Sequence, residues 1–169
     1  VKEAAGCAAV FNGSCSPTFA LPKILWMLEN WQLPEDTYFF HSSDFLYSWL
    51  SGTTKIPTDF TNAMKTGVDL NREDWSEHEI LGALNLPPII RPGKNFETVS
   101  NRLRKKWSLK NEVVLVSGST DSNAAFYASG ATQTGDWAST IGTTLAIKGL
   151  SRNKLLDQNG RIYCHKYPD

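Results

Sequence analysis

The sequence has few of the residues that build disulfide frameworks and metal knuckles, and it has no long apolar run. Its 169 residues include three cysteines, Cys7, Cys15 and Cys164, an odd number without a C-x-x-C pair; this argues against either kind of site. The three histidines show no H-x-x-x-H or H-E-x-x-H spacing, so we expect no zinc site and assign no metal ligand among these residues. No apolar run approaches the roughly 18 residues of a transmembrane helix, and no membrane partner is expected.

An excess of charge of either sign is also missing. The formal net charge is zero, with 41% hydrophobic and 20% charged residues, as in ordinary globular proteins, and nothing global favours a nucleic-acid partner. One dense basic cluster lies within residues 96–107, where four apolar residues keep helical spacing. A solvated helix face is the favoured interpretation, and a phosphate or nucleic-acid patch is the alternative. The cluster consists of Arg102, Arg104, Lys105 and Lys106.

Hydrophobic periodicity predicts a helix-rich first part and a β-rich last part, an α/β chain that passes from one domain into another near residue 117. The chain starts with Val1 and ends on Asp169 without a tail, so we expect a piece of a longer protein. Residues 1–20 are expected to be loop-like, and residues 53–70 are polar with turns expected at residues 57–59 and at Gly67. The predicted helices are 21–31, a segment from Ser42 or Ser43 to Gly52, 73–84, 96–107 and 121–129; the predicted strands are 37–40, 89–93, 113–116, 137–141, 145–148 and 161–165.

The most informative motif is Ser-Gly-Ser-Thr-Asp-Ser-Asn-Ala-Ala at residues 117–125. A strand-like apolar run leads into a turn of small residues, and one carboxylate, Asp121, stands at the start of the following helix. A carboxylate so placed can accept the proton of an alcohol during phosphoryl transfer. It can equally cap the helix by accepting from N–H groups two or three residues on. A serine nucleophile at Ser117 or Ser119 is disfavoured because the G-x-S-x-G elbow is missing.

A second motif, Ile-Gly-Thr-Thr at residues 141–144, lies between two strand-like segments. Gly142 permits close approach of a phosphate, and Thr143 and Thr144 supply hydroxyls and backbone N–H groups. An ordinary hairpin turn explains the same residues. Together, the two motifs suit transfer of a phosphoryl group to an alcohol, with the carboxylate as base and the turn as a phosphate cradle.

Five segments, in family order, resemble the FGGY carbohydrate kinases, and the residues around Asp121 are most similar to those of xylulokinase-like members. Lys23-Ile-Leu-Trp26 is similar to the core of the first family signature. Residues 41–52 resemble its D-Y-L-x-x-x-L-T-G segment, and residues 58–63 resemble its T-D-x-S-N-A loop, continuing to Trp75. Residues 118–125 and 141–144 fall where the family carries a catalytic aspartate and a phosphate-contacting G-T-[ST] turn.

The resemblance implies part of the actin-like ATPase (ribonuclease H-like) two-domain fold. Residues 1–117 would be the C-terminal portion of the sugar-binding domain, and residues 118–169 the beginning of the nucleotide-binding domain. It further implies Asp121 as base and sugar contact, and Gly142, Thr143 and Thr144 as ATP contacts. The substrate would be a ketopentose or polyol, and Mg²⁺ would be held mainly by a D-x-G-T loop not found here. The expected location is cytoplasmic, with a transit peptide left open.

Two further expectations concern residues outside the motifs. Asp59 and Asn62 are interpreted as loop-fixing residues whose side chains bond nearby backbone. Five tryptophans on apolar helical stripes are expected in the core rather than as sugar platforms: Trp26, Trp31, Trp49, Trp75 and Trp107. The alternative to a kinase is a non-catalytic sugar- or protein-binding fragment or degenerate homologue, which the flanking coding sequence would distinguish.

Overall fold

The computed structural model describes residues 2–11, 15–155, 162 and 164–166. Helices and short strands alternate along the chain, and a 3-10 turn covers Met64–Thr66. The helices are α1 (Lys2–Gly6), α2 (Ala20–Asn30), α3 (Ser42–Ser51), α4 (Phe60–Ala63), α5 (Glu79–Gly82), α6 (Asn101–Lys106) and α7 (Asp121–Ala128). The strands are β1 (Thr58–Asp59), β2 (Val68–Asp69), β3 (Asp74–Trp75), β4 (Ile89–Ile90), β5 (Asn95–Thr98), β6 (Val114–Val116), β7 (Trp137–Ile141) and β8 (Leu145–Gly149).

The strands of the described residues form four two-stranded sheets. β1 and β4 are parallel, with Thr58 opposite Ile89, while the other three pairs are antiparallel. β5 pairs with β6 immediately before the turn that carries Asp121, and β7 and β8 form the predicted hairpin. Residues 60–63 follow directly after strand β1 and residues 117–121 follow directly after strand β6; the ends of strands are where functional residues are often carried.

Two apolar clusters form the described core. One contains Cys7, Leu21 and Leu81, and the other contains Val99, Leu103 and Leu115. Residues 53–70, polar in sequence, include some of the most buried residues of the described chain, with Ile56 and Thr66 fully buried and Phe60 at 1% exposure. The sequence did not reveal this burial, because threonine and aspartate here are buried with hydrogen-bond partners, which polarity alone does not show.

Several predicted elements are shorter or different. Residues 73–84 form strand β3 and one turn of helix α5, because Glu73 adopts a positive φ of 55° and His78 starts a new helix by accepting from Ile80 N–H. Within residues 96–107, Phe96 lies in strand β5 and only Asn101–Lys106 is helical. The helical spacing was misleading because a strand and the following helix bury their apolar residues against one core. The predicted loop 1–20 contains helix α1.

The N-terminus of α3 is closed by His41 rather than by Ser42 or Ser43. Asp44, which is fully buried, accepts from His41 N–H and from its ring Nδ1, both at 2.9 Å. His41 Nε2 lies 2.9 Å from Thr66 Oγ1, and Nδ1 lies 3.0 Å from Thr58 Oγ1. This buried polar group joins α3 to the 58–66 segment.

The predicted strand 37–40 is reduced to a single bridge between Tyr38 and Asn85. In the predicted strand 161–165, Arg161 and Tyr163 lie outside the described residues, and the described ones are not in a strand. The tryptophan expectation was wrong for four of the five residues: Trp26, Trp31, Trp49 and Trp107 are 44–54% exposed. Trp75 is partly buried and donates from Nε1 to Pro87 O at 2.7 Å. No described helix is long and apolar enough to cross a membrane.

Candidate functional site

Asp121 is the first residue of helix α7, and its side chain is exposed. Its Oδ1 accepts from Ser122 N–H at 2.6 Å, the amide of the next residue. The residue in the N-cap position is Thr120, which makes no side-chain capping bond. The capping interpretation, which requires Asp121 to accept from N–H groups two or three residues on, does not match this geometry. The carboxylate instead lies at the surface, exposed to solvent.

The turn before Asp121 is held by its buried serine. Ser117 Oγ donates to Arg91 O at 2.6 Å and accepts from Lys94 N–H at 3.0 Å. A hydroxyl whose proton is given to a backbone carbonyl is not an activated nucleophile, so this geometry does not support a hydrolase using Ser117. On the other side of the turn, Tyr47 donates to Val116 O at 3.1 Å. A Cβ on Gly118 would lie only 3.2 Å from the Tyr47 hydroxyl, so glycine fits this tight approach.

The Asp59 side chain bonds nearby backbone, as expected, whereas the Asn62 side chain bonds the Asp59 carboxylate; together they fix the short β1–α4 segment at residues 58–63 (the 58–63 loop). The buried Asp59 carboxylate is the N-cap of α4 and accepts from the N–H groups of Thr61 and Asn62 at 2.9 and 3.0 Å. It also accepts from Asn62 Nδ2 at 2.6 Å and from the Thr61 hydroxyl. Thr61 Oγ1 in turn lies 3.1 Å from Ser119 Oγ and accepts from Thr120 N–H at 3.1 Å. The loop therefore contacts the Asp121 turn directly.

The β7–β8 hairpin is joined to helix α7 by Lys148. Its ammonium donates to Ser122 O at 2.9 Å and to Asn123 Oδ1 at 2.8 Å. Burial lowers the pKa of Lys148, and the negative charge of Asp121 opposes that shift. The Lys148 ammonium thus contacts the first turn of helix α7, close to Asp121, the proposed base.

Asn123, which is buried in α7, also reaches the end of the described chain. Its Nδ2 lies 3.1 Å from His165 Nδ1. Burial, reinforced by the positive charges of Lys148 and Lys65, lowers the pKa of His165 to about 4. A neutral ring can accept the Asn123 proton at Nδ1, so the geometry and the lowered pKa agree.

The residues 142–144 form the tip of the β7–β8 hairpin, and all three are exposed. Gly142 N–H donates to Thr144 O at 3.1 Å, and a Cβ on Gly142 would meet nothing within 4 Å. Locally this is a hairpin turn. Lys148 lies three residues beyond Leu145, about 10 Å along a strand of ~3.4 Å per residue, so the contact with α7 is made near the other end of the hairpin from the tip.

The donors needed for Mg²⁺ are not gathered in the described part of the chain. No group of three or more His, Cys, Asp and Glu side chains converges there. Asp121 has a lysine ammonium as its charged neighbour, and Mg²⁺ is bound by oxygen ligands, with carboxylates supplying its charge. These residues therefore do not by themselves fit a resident Mg²⁺.

Sequence reasoning found Asp121 and the 142–144 turn but missed the residues that connect the site. Thr61 was inside a segment noted only for Asp59 and Asn62. Lys148 carried no motif at all. The available signal for Thr61 was a hydroxyl residue within the T-D-x-T-N-A segment. Its partners in the Asp121 turn, Ser119 and Thr120, lie 58 and 59 residues away in the sequence.

Comparison with known proteins places these features in a family. The model of the N-terminal domain of the FGGY family of carbohydrate kinases matches residues 10–127, which include most of helix α7. A xylulose kinase of Lactococcus lactis subsp. lactis is 30% identical over 155 residues, covering 86% of this chain and 30% of that protein. The chain therefore spans under a third of the length of this curated relative.

The fold matches that of a solved sugar kinase. The crystal structure of a xyloylose kinase from Brucella ovis superimposes with a TM-score of 0.81 at 20% identity, covering 96% of this chain and 36% of that chain. Mixed helices and strands in this arrangement are part of the α/β, actin-like ATPase fold. Since the family model matches well over half of its residues, the chain belongs to the FGGY family of carbohydrate kinases.

Proposed function

We propose that the complete protein containing this chain is an ATP-dependent sugar kinase that phosphorylates a hydroxyl of a ketopentose such as xylulose or ribulose. Asp121 accepts the hydroxyl proton while the sugar oxygen bonds to the γ-phosphorus of ATP. The bond from that phosphorus to the β–γ bridging oxygen breaks, and ADP leaves. Use of ATP implies Mg²⁺ on the phosphates, and its ligands would come from segments outside those described.

The exposed Asp121 carboxylate at the start of α7 carries this proposal. Because its only described hydrogen bond is to Ser122 N–H, the remaining oxygen is available to a substrate hydroxyl. Further support comes from the family match through residue 127 and from the similarity to a xylulose kinase. The 142–144 turn is proposed to contact the nucleotide phosphates, on the basis of its exposed glycine and threonines. The domain boundary after residue 117 and a cytoplasmic location remain predictions.

The test is Asp121→Asn in the complete protein, assayed by ATP-coupled turnover on xylulose, ribulose, ribitol and glycerol. We expect kcat to fall by roughly 10²- to 10⁴-fold, the usual contribution of a general base, with little change in thermal unfolding. Asp74→Asn is the matched control, because Asp74 is also exposed and also accepts from the next amide, Trp75 N–H at 2.8 Å.

Retention of most activity by the Asp121 variant would remove Asp121 from the mechanism. An unsubstituted protein that binds a sugar by calorimetry but turns over none of the four would favour the non-catalytic alternative. The 169-residue chain by itself is expected to show no turnover, because most of the nucleotide site would lie in segments that it does not contain. Activity of the isolated chain would contradict that part of the proposal.

A further inference from the structure

In the hydrogen bonds between the 58–63 loop and the Asp121 turn, the donor and the acceptor of each bond can be assigned. The Thr61 hydroxyl donates its single proton to the Asp59 carboxylate, which can only accept. Both remaining acceptor positions of Thr61 Oγ1 are then available, and its two other neighbours are Thr120 N–H and the Ser119 hydroxyl. Because Thr61 has already used its proton, Ser119 must donate to it.

Asp59 and Thr61, on one side of this contact, are buried, whereas Ser119 and Thr120, on the other, are partly exposed. Asp59 and Thr61 are 2% and 3% exposed, so few water molecules can replace these bonds. Thr120, whose N–H donates to Thr61 Oγ1, directly precedes Asp121 and is the N-cap of α7. Its own hydroxyl is buried without a partner in the described structure. The backbone at Thr120 is therefore held by Thr61 rather than by a capping side chain.

We infer that Asp59 and Thr61 act as a positioning pair that sets the orientation of the Asp121 carboxylate through Thr120. Asp59 orients the Thr61 hydroxyl, Thr61 holds the Thr120 amide and the Ser119 hydroxyl, and these fix where α7 begins. Asp121 is the next residue, so a shift of Thr120 is carried directly to the base. The inference rests on the proposed function, since it assigns a role in the geometry of that site.

A purely structural role for Thr61 is the competing explanation, and a matched residue separates the two. Thr66 is likewise a fully buried threonine whose hydroxyl has a polar partner, His41 Nε2 at 2.9 Å. Its bond lies within the α3 network and does not reach the 117–121 turn. Replacing either threonine by valine removes one buried hydroxyl at nearly constant volume.

The experiment compares Thr61→Val, Thr61→Ser and Thr66→Val in the complete protein. We expect Thr61→Val to lower kcat by about 10- to 100-fold at saturating substrates, as misplacement of a catalytic group by ~1 Å does, with KM changed by less than about threefold. Thr61→Ser keeps the hydroxyl and should restore kcat to within about threefold. Thr66→Val should lower the unfolding midpoint but leave kcat within about twofold.

Hydrogen exchange gives a readout that does not depend on activity. In a peptide that contains the Thr120 amide, exchange should be at least about tenfold faster in Thr61→Val than in Thr66→Val or Thr61→Ser, since only the first loses the acceptor for that N–H. If the unsubstituted protein lacks kinase activity, the proposed function fails, and faster exchange at Thr120 still supports the positioning contact. Equal exchange and equal kcat in Thr61→Val and Thr66→Val would overturn the inference.

A variant that leaves the loop intact covers the case in which Thr61→Val does not fold. Ser119→Ala removes only the partly exposed donor on the other side of the contact. It should lower kcat by about three- to tenfold through the same shift of the turn. Unchanged kcat in Ser119→Ala, together with an unfolded Thr61→Val, would also count against the positioning role.

Discussion

At the scale of single residues, the two aspartates of the candidate site, Asp121 and Asp59, differ in exposure and in hydrogen bonding. Asp121 is exposed, while Asp59 is buried and accepts hydrogen bonds from Thr61 and Asn62. Two aspartates of one short site thus have different environments and different proposed tasks. The sequence indicated the local role of Asp59, which was interpreted as bonding nearby backbone. It left Asp121 open between a helix cap and a base, because an aspartate at the start of a helix suits either role.

His165 provides a pH-dependent prediction for one side chain. Its folded pKa of about 4 lies below the ordinary value of 6.5, so the unfolded chain binds the proton first as the pH falls. The contribution of His165 to the free energy of unfolding is therefore full above about pH 6.5 and is lost as the pH falls towards 4. Its slope is at most that of one proton, about 1.4 kcal/mol per pH unit.

Urea unfolding of the chain and of His165→Gln, from pH 4 to 7.5, checks this expectation. Glutamine does not titrate, so the difference between the two free energies of unfolding isolates the histidine from the carboxylates common to both. The advantage of the unsubstituted chain should shrink on acidification. Parallel curves would show that His165 is not held neutral against Asn123 and Lys148.

Among the secondary-structure elements, the segment that follows α4 is fixed by one glycine. Gly67 has φ of +121°, and a Cβ there would lie 2.7 Å from Val10 Cγ1 and 2.8 Å from Leu81 Cδ1. The close approach packs the 3-10 turn against the first apolar cluster. Neither the positive φ nor the packing was evident from the sequence, where Gly67 signalled only a turn.

We expect Gly67→Ala to destabilise the chain by about 2 kcal/mol or more, since it combines overpacking with an unfavourable backbone conformation. Gly82→Ala is the control, because Gly82 is helical and an added Cβ meets nothing within 4 Å. It should be neutral or stabilising by up to ~1 kcal/mol. Chemical denaturation measures both, and equal effects would contradict the packing assigned to Gly67.

For the molecule as a whole, the main surface feature is the β7–β8 hairpin, which presents one apolar face to solvent. Strand alternation and register place its large apolar residues on the same side, opposite Lys148. These residues are Trp137, Ile141, Leu145 and Ile147, and each is more than 60% exposed in the described structure. A two-stranded sheet with an uncovered apolar face and unpaired strand edges favours association.

The 169-residue chain is accordingly expected to self-associate with rising concentration. Ile147→Lys places a charge on the apolar face and should weaken association by about tenfold or more, whereas Thr140→Lys adds the same charge to the opposite face and should have a smaller effect. Sedimentation velocity over a concentration series distinguishes them. An equal effect of both variants would assign association to the strand edges rather than to the apolar face.

Local elements and family membership could be inferred from the linear order of residues alone. Helices α2 and α3 follow from apolar periodicity, and helix α7 and the β7–β8 hairpin follow from the strand-like runs and turn residues beside them. Five motifs in order are sufficient to indicate the FGGY kinases. The order of motifs also located Asp121 at a strand-to-helix turn. The individual elements depend on residues within about ten positions of one another, and the order of motifs is itself a linear property, which is why the sequence contains both.

The burial of polar residues and the attachments of the turn before Asp121 could be known only from the folded chain. The burial of residues 56–66, the bond from Thr120 to Thr61 and the bonds from Lys148 to α7 are tertiary features, and the two sets of bonds join residues 25 to 59 positions apart. Such contacts follow from how strands and loops are brought together in space. A hydroxyl or an ammonium is the same in the sequence whether it faces water or completes a buried network, and only its folded neighbours distinguish the two.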